Sequence, residues 1–106
     1  MAEIVSLKTG HHLVGTWRDA DEDYGSGVQF TISAAGAAFE VAGLDTRDGE
    51  NLEISNVRWD GKILRFEGFV PSTGHRVEYT FEVASPSEVI VRYTQSERWI
   101  RIASTT

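Results

Sequence analysis

Arg76-Val77-Glu78-Tyr79-Thr80-Phe81-Glu82-Val83 alternates without interruption, with Val77, Tyr79, Phe81 and Val83 on one parity and Arg76, Glu78, Thr80 and Glu82 on the other. A period of two marks a half-buried β-strand, because successive side chains leave opposite faces of the backbone. The pattern recurs in both directions. Upstream, Lys62 to Val70 sets Leu64, Phe66, Gly68 and Val70 against Arg65 and Glu67, and Pro71-Ser72-Thr73-Gly74 follows as a turn. Leu52 to Trp59 is joined to that run by Asp60-Gly61, a two-residue hairpin signal in which both turn positions require positive φ. Earlier still come Ala37 to Gly43 with Phe39 and Val41 inward, Val28 to Ser33 with Val28, Phe30 and Ile32 inward, and His12 to Arg18. Downstream, Ser85-Pro86-Ser87 precedes Val89 to Thr94, and Gln95-Ser96 separates that run from Arg98 to Ile102.

Eight short apolar runs with turn residues between them predict an all-β fold: a single-domain, eight-stranded antiparallel up-and-down β-barrel over residues 12–102. Residues 1–11 form an N-terminal extension or plug in this reading, and 103–106 a tail. Closure removes the exposed edges of a meander. A two-sheet sandwich is the competing arrangement, but the connections are short for Greek-key crossings. The interior of an eight-stranded barrel is either filled by side chains or holds one small ligand.

Composition narrows the function classes. At 106 residues, with 41% hydrophobic and 25% charged residues, the chain suits one globular domain with a modest core. No stretch reaches the roughly 18 apolar residues of a membrane helix. Glu3 comes early and no long apolar core follows Met1, so a signal peptide is not expected and the cytoplasm is the expected location, secretion staying open if a leader has been removed. With no cysteine, neither disulfides nor thiolate metal sites are available. A net charge of −6 without a Lys/Arg cluster disfavours nucleic acid as a partner.

Leu13-Val14-Gly15-Thr16-Trp17 on the first strand of the meander, with Arg98 and Arg101 on its last, resembles the calycin superfamily: lipocalins, fatty-acid-binding proteins and avidins. The resemblance rests on Gly15, Trp17 and one arginine, and on the strand pattern over residues 12–102. It implies a barrel in which a last-strand arginine packs across the indole of Trp17, and a generic pocket with no particular ligand. The helices that fatty-acid-binding proteins place after the first strand have no room in Asp19 to Gly27, and Arg18-Asp19-Ala20 departs from the haem-binding nitrobindin pattern. Arg98 shares parity with Ile100 and Ile102, which points it inward, whereas position near the strand end favours Arg101 as the partner of Trp17.

Polar residues on inward parity mark a candidate ligand site. Asn56 and Arg58 continue the Leu52 and Ile54 face, Tyr79 lies between Val77 and Phe81, Tyr93 follows Val89 and Val91, and Arg98 precedes Ile100. A buried charge is costly unless paired, and the planar fork of arginine suits an anionic group on a ligand. With Phe66 and Phe81, these residues define the expected site. The competing reading puts Arg58 and Tyr93 at barrel mouths with their polar ends in water, and pairs Arg98 with backbone or with Glu67. Trp17, Trp59 and Trp99 read as packing residues before they read as ligand platforms.

Metal and cofactor sites are not expected. Asp19-Ala20-Asp21-Glu22-Asp23-Tyr24-Gly25 imitates a calcium loop, but Tyr24 and Phe30 stand where the EF-hand needs glycine and glutamate. His11 and His12 point to opposite faces of a strand, and His75 is remote in sequence. No serine has a nucleophile-elbow context. The expected function is binding of a small apolar or amphipathic molecule, by a monomer or homodimer. An interaction or inhibitor module on the same fold is one alternative; a cyclase or isomerase using Tyr79 or Glu67 is the other.

Overall fold

The structure, a computed structural model, describes residues 11–20, 27–96 and 99–103. These form one antiparallel sheet of seven strands in the order of the chain, curled into a half-barrel. The strands are β1 (Gly15–Arg18), β2 (Val28–Ala35), β3 (Ala38–Asp45), β4 (Asn51–Trp59), β5 (Ile63–Val70), β6 (His75–Ser85) and β7 (Glu88–Ser96). No α-helix occurs among the described residues; a single 3₁₀ turn, His11–Leu13, leads into β1. The all-β architecture and the uninterrupted meander are those that alternation predicts.

The first expected run is shorter than its sequence pattern suggests. His12 and Leu13 belong to the turn, and Leu13 is fully buried as an apolar plug beneath the sheet. Gly15 makes the change of direction at φ 145°, a conformation that a side chain disfavours.

Of the last expected run, residues 99–102 are not in a strand. β6 is eleven residues long, and β7 follows it far enough to pair Gln95 with Val77 and Ser96 with Arg76. The residues expected to turn the chain are thus taken into the ladder. Residues 99–103 carry no regular structure and are exposed, Arg101 among them. Arg98 lies outside the described residues, as do residues 1–10 and 104–106 of the expected extension and tail. Among the described residues the sheet therefore has two edges, β1 and β7, and forms a half-barrel where the sequence pattern predicts a closed eight-stranded barrel.

β4 departs from simple alternation. Ser55 pairs with Glu67 and Arg58 with Arg65, so Asn56 and Val57 together oppose Phe66. This is a β-bulge, and it reverses the parity of everything after it. Asn56 takes φ 55°, which asparagine tolerates better than most residues. Beyond the bulge, Trp59 turns inward and meets Phe39 edge to face at 5.4 Å between ring centroids. Arg58 turns outward, exposed, with its Nε donating to the Asn56 carbonyl at 3.2 Å.

Asp60-Gly61 does join β4 to β5, as a three-residue connection with Lys62 in which only Gly61 has positive φ. The Asp60 carboxylate organises it, accepting from the amides of Ile63 (2.7 Å) and Lys62 (2.9 Å) and from the Arg65 guanidinium (2.8 Å). These donors, the Ile63 amide foremost, lower its pKa from 3.8 to about 2. A carboxyl whose folded pKa is depressed stabilises the fold above its unfolded value and loses that contribution as pH falls through the folded one. Asp60→Asn is therefore expected to flatten the fall in thermal midpoint between about pH 4 and pH 2, compared in parallel melts with the parent. At the bulge, Asn56→Val should cost about 1–2 kcal/mol in denaturant unfolding and Asn56→Gly close to nothing.

Candidate functional site

The inner face of the half-barrel is aromatic at its centre. Phe30 of β2 contacts three rings from the other half of the sheet, with centroid distances of 4.7 Å to Tyr79, 5.0 Å to Phe66 and 5.8 Å to Phe81. Phe66 in turn lies 5.4 Å from Tyr79 and 5.5 Å from Phe81. Backbone space is tight here: a Cβ on Gly43 would come within 3.0 Å of the Phe30 ring and 3.1 Å of Leu52 Cβ. Glycine at this position lets Phe30 reach across the sheet.

Where β1 and β7 fail to meet, a half-open cleft of about 380 Å³ runs along the seam. One wall carries Trp17, Val28 and Phe30, the other Tyr79, Phe81, Val89, Val91 and Tyr93. Arg18, Asp19 and Glu88 border it. Trp17 is held in place by its indole Nε1, which donates to the Leu13 carbonyl at 2.7 Å. Val91 is 38% exposed and Tyr93 66%, although the ladder places them opposite the buried Phe81 and Tyr79. Burial, and secondarily Tyr93, raises the Tyr79 pKa above the ordinary tyrosine value.

A second, more polar recess of about 390 Å³ shares Val28, Tyr79 and Tyr93 with the first and is bordered by Asp45, Arg47, Glu50, Ser72 and His75. Asp45 is buried and accepts from the Arg47 backbone amide (3.0 Å), Nε (3.1 Å) and Nη2 (3.0 Å). Those bonds, the side-chain ones foremost, keep its carboxyl below the usual range. Gln95 Nε2 lies 3.1 Å from His75 Nδ1.

Of the residues expected to bind ligand, Tyr79, Phe81 and Tyr93 line the cleft. Phe66 is fully buried behind them and packs the core. Asn56 and Arg58 are removed from the inner face by the bulge and are exposed. Gly15 and Trp17 sit on β1 at the seam, but Arg101 belongs to the exposed segment after β7, outside any strand. Glu67 pairs with Glu78 on the convex face, 3.5 Å from Arg76, and so stands apart from Tyr79 as a catalytic partner. Val28, Phe30, Val89 and Val91 line the cleft without having been singled out in the sequence, although inward parity marked all four.

Among the described residues no group of three or more histidines and carboxylates is placed to hold a metal ion. Of the calcium-like run, Asp19 and Ala20 are described and exposed, and 21–25 lie outside the described residues. No described helix is long and apolar enough to cross a membrane. Comparison with protein-family models, with curated proteins and with solved structures returns no match to this chain.

Burial holds the Tyr79 phenol above the ordinary tyrosine value, so Tyr79→Phe should remove a component that develops above that value in an alkaline titration followed at the phenolate absorbance. A raised folded pKa also means that its stabilising contribution is present below the unfolded value and lost as pH rises through the folded one. Truncating Phe30 to Ala, which empties the centre of the aromatic cluster, should cost about 3–5 kcal/mol in chemical unfolding.

Proposed function

We propose that the seam cleft binds a small, mostly apolar molecule, in the manner of a calycin-like barrel left open along one side. The observation that carries this reading is a cleft of about 380 Å³ whose walls are Trp17, Val28, Phe30, Phe81 and Val91 and whose charged groups stand at its border. Ligand sites of this kind usually measure some 300–1,000 Å³ and combine an apolar lining with a few orienting polar groups. Here those groups are the Tyr79 hydroxyl, Arg18, Asp19 and Glu88. An anionic end on the ligand would find its cation in Arg18, since Arg58 lies outside the cleft.

The rings along the walls favour a flat ligand. Phe30 and Tyr79 stand nearly perpendicular at 68°, and Tyr93 lies 6.2 Å beyond Tyr79, so both edges and faces are offered to an inserted ring. Titration with an apolar fluorescent probe such as anilinonaphthalene sulfonate is expected to show one saturable site and to quench Trp17. Val28→Trp, which places an indole where the two recesses join, should abolish that binding while leaving the β-sheet circular dichroism intact. Non-saturable binding, or binding unchanged by Val28→Trp, would count against the cleft as the site.

A further inference from the structure

The two edges of the sheet differ. β1 offers four residues, ending at Arg18 and followed by Asp19. β7 offers nine, Glu88–Ser96, eight of them exposed. Natural edge strands are usually guarded by proline, inward-pointing charge, lysine, a bulge or brevity. β7 has no proline and no lysine, its irregularity lies only at its start beside Val83 and Ser85, and Val89, Ile90, Val91 and Tyr93 give it strong strand-forming character. Among the described residues β6 is its one neighbour in the sheet, so the backbone groups of Glu88–Thr94 that do not face β6 point to the seam side.

We propose that the free edge of β7 pairs antiparallel with β7 of a second copy of this chain, about a two-fold axis at Val91. A two-fold pairing sets each residue against one whose number completes a fixed sum, so the strand can be tested for self-complementarity. Three registers pair seven or more of its nine residues, centred on Val91, Arg92 or Tyr93. Centring on Arg92 sets two arginines directly opposite each other, a like-charge contact that destabilises a ladder. Centring on Tyr93 spends Val91 on Gln95 and Ile90 on Ser96. Centring on Val91 sets Val91 against itself and Val89 against Tyr93 on the inner face.

On the outer face the same register sets Ile90 against Arg92 and Glu88 against Thr94, with no like charges opposed. Val89, Val91 and Tyr93 all line the cleft, so the inner-face contacts join the two clefts into one apolar wall. Arg92 retains its ion pair with Glu82 at 3.5 Å, which lies on the β6 side. Aromatic and β-branched pairs of this kind are the favourable cross-strand contacts of antiparallel sheets. An isologous two-fold contact closes on itself, satisfying both edges without propagating. This pairing stands independently of what the cleft binds.

The test is the solution mass of the intact chain by sedimentation velocity. The expected result is a species of twice the 11.8 kDa chain mass that dissociates on dilution. Val91→Lys and Val91→Asp should each reduce it to the single-chain mass, with β-sheet circular dichroism retained. Because position 91 faces its own copy, mixing the two variants should restore the double-mass species. If either variant loses its fold, Tyr93→Lys, at a highly exposed position, reads the same interface and should weaken the dimer. A parent protein that keeps the single-chain mass up to its solubility limit would overturn the proposal. So would folded charge variants that remain dimeric alone, or that fail to associate when mixed.

Discussion

The packing of Phe30 against Phe66, Tyr79 and Phe81 is the contact on which the curl of this sheet depends. β1 to β3 and β4 to β7 are joined in the backbone ladder through only two residue pairs, Gly43 with Leu52 and Leu44 with Asn51. Beyond those pairs β3 and β4 stay close without further ladder pairing, so hydrogen bonds fix little of the angle between the halves. Side chains set it instead. Aromatic pairs contribute about 0.5–1.5 kcal/mol each beyond the area they bury, so three on one ring form a substantial clasp. Phe39 against Trp59 adds a second contact across the same gap. At the loop end, the Glu50 carboxylate accepts from the Ser72 amide (3.0 Å) and hydroxyl (2.7 Å), tying the β3–β4 connection to the turn after β5.

The cleft follows from this clasp and from the shortness of β1. With the halves drawn together at Phe30, the inner faces of β1, β2, β6 and β7 form opposing walls. A four-residue β1 cannot match a nine-residue β7, so the seam stays open and its lining stays partly wet. Among the described residues, β7 is likewise the longer of the two terminal strands. The cavity is a result of that unequal pair.

Much of this was legible in the sequence. β6 lies where unbroken alternation put it, and Val28, Phe30, Ile32, Phe39, Leu64, Phe66 and Phe81 all point inward as parity requires. The bulge was not legible, because a two-residue period carries no mark of an inserted residue; asparagine at 56 is a weak sign that positive φ is tolerated. That single insertion exchanged Arg58 for Trp59 on the inner face and removed two of the expected ligand-binding residues. The unmade eighth strand had a different cause. Gln95-Ser96 looks like a turn locally, but the eleven-residue partner β6 offers both residues places in a ladder, and the longer-range pairing prevails.

Side-chain nuclear Overhauser contacts from the Phe30 ring test the account most directly. Strong contacts to the rings of Phe66, Tyr79 and Phe81 are predicted, alongside the backbone contacts of the six consecutive strand pairs. Loss of the Phe30 ring contacts with the strand-pair contacts intact would mean that the halves are not clasped, contradicting the half-barrel and the cleft within it.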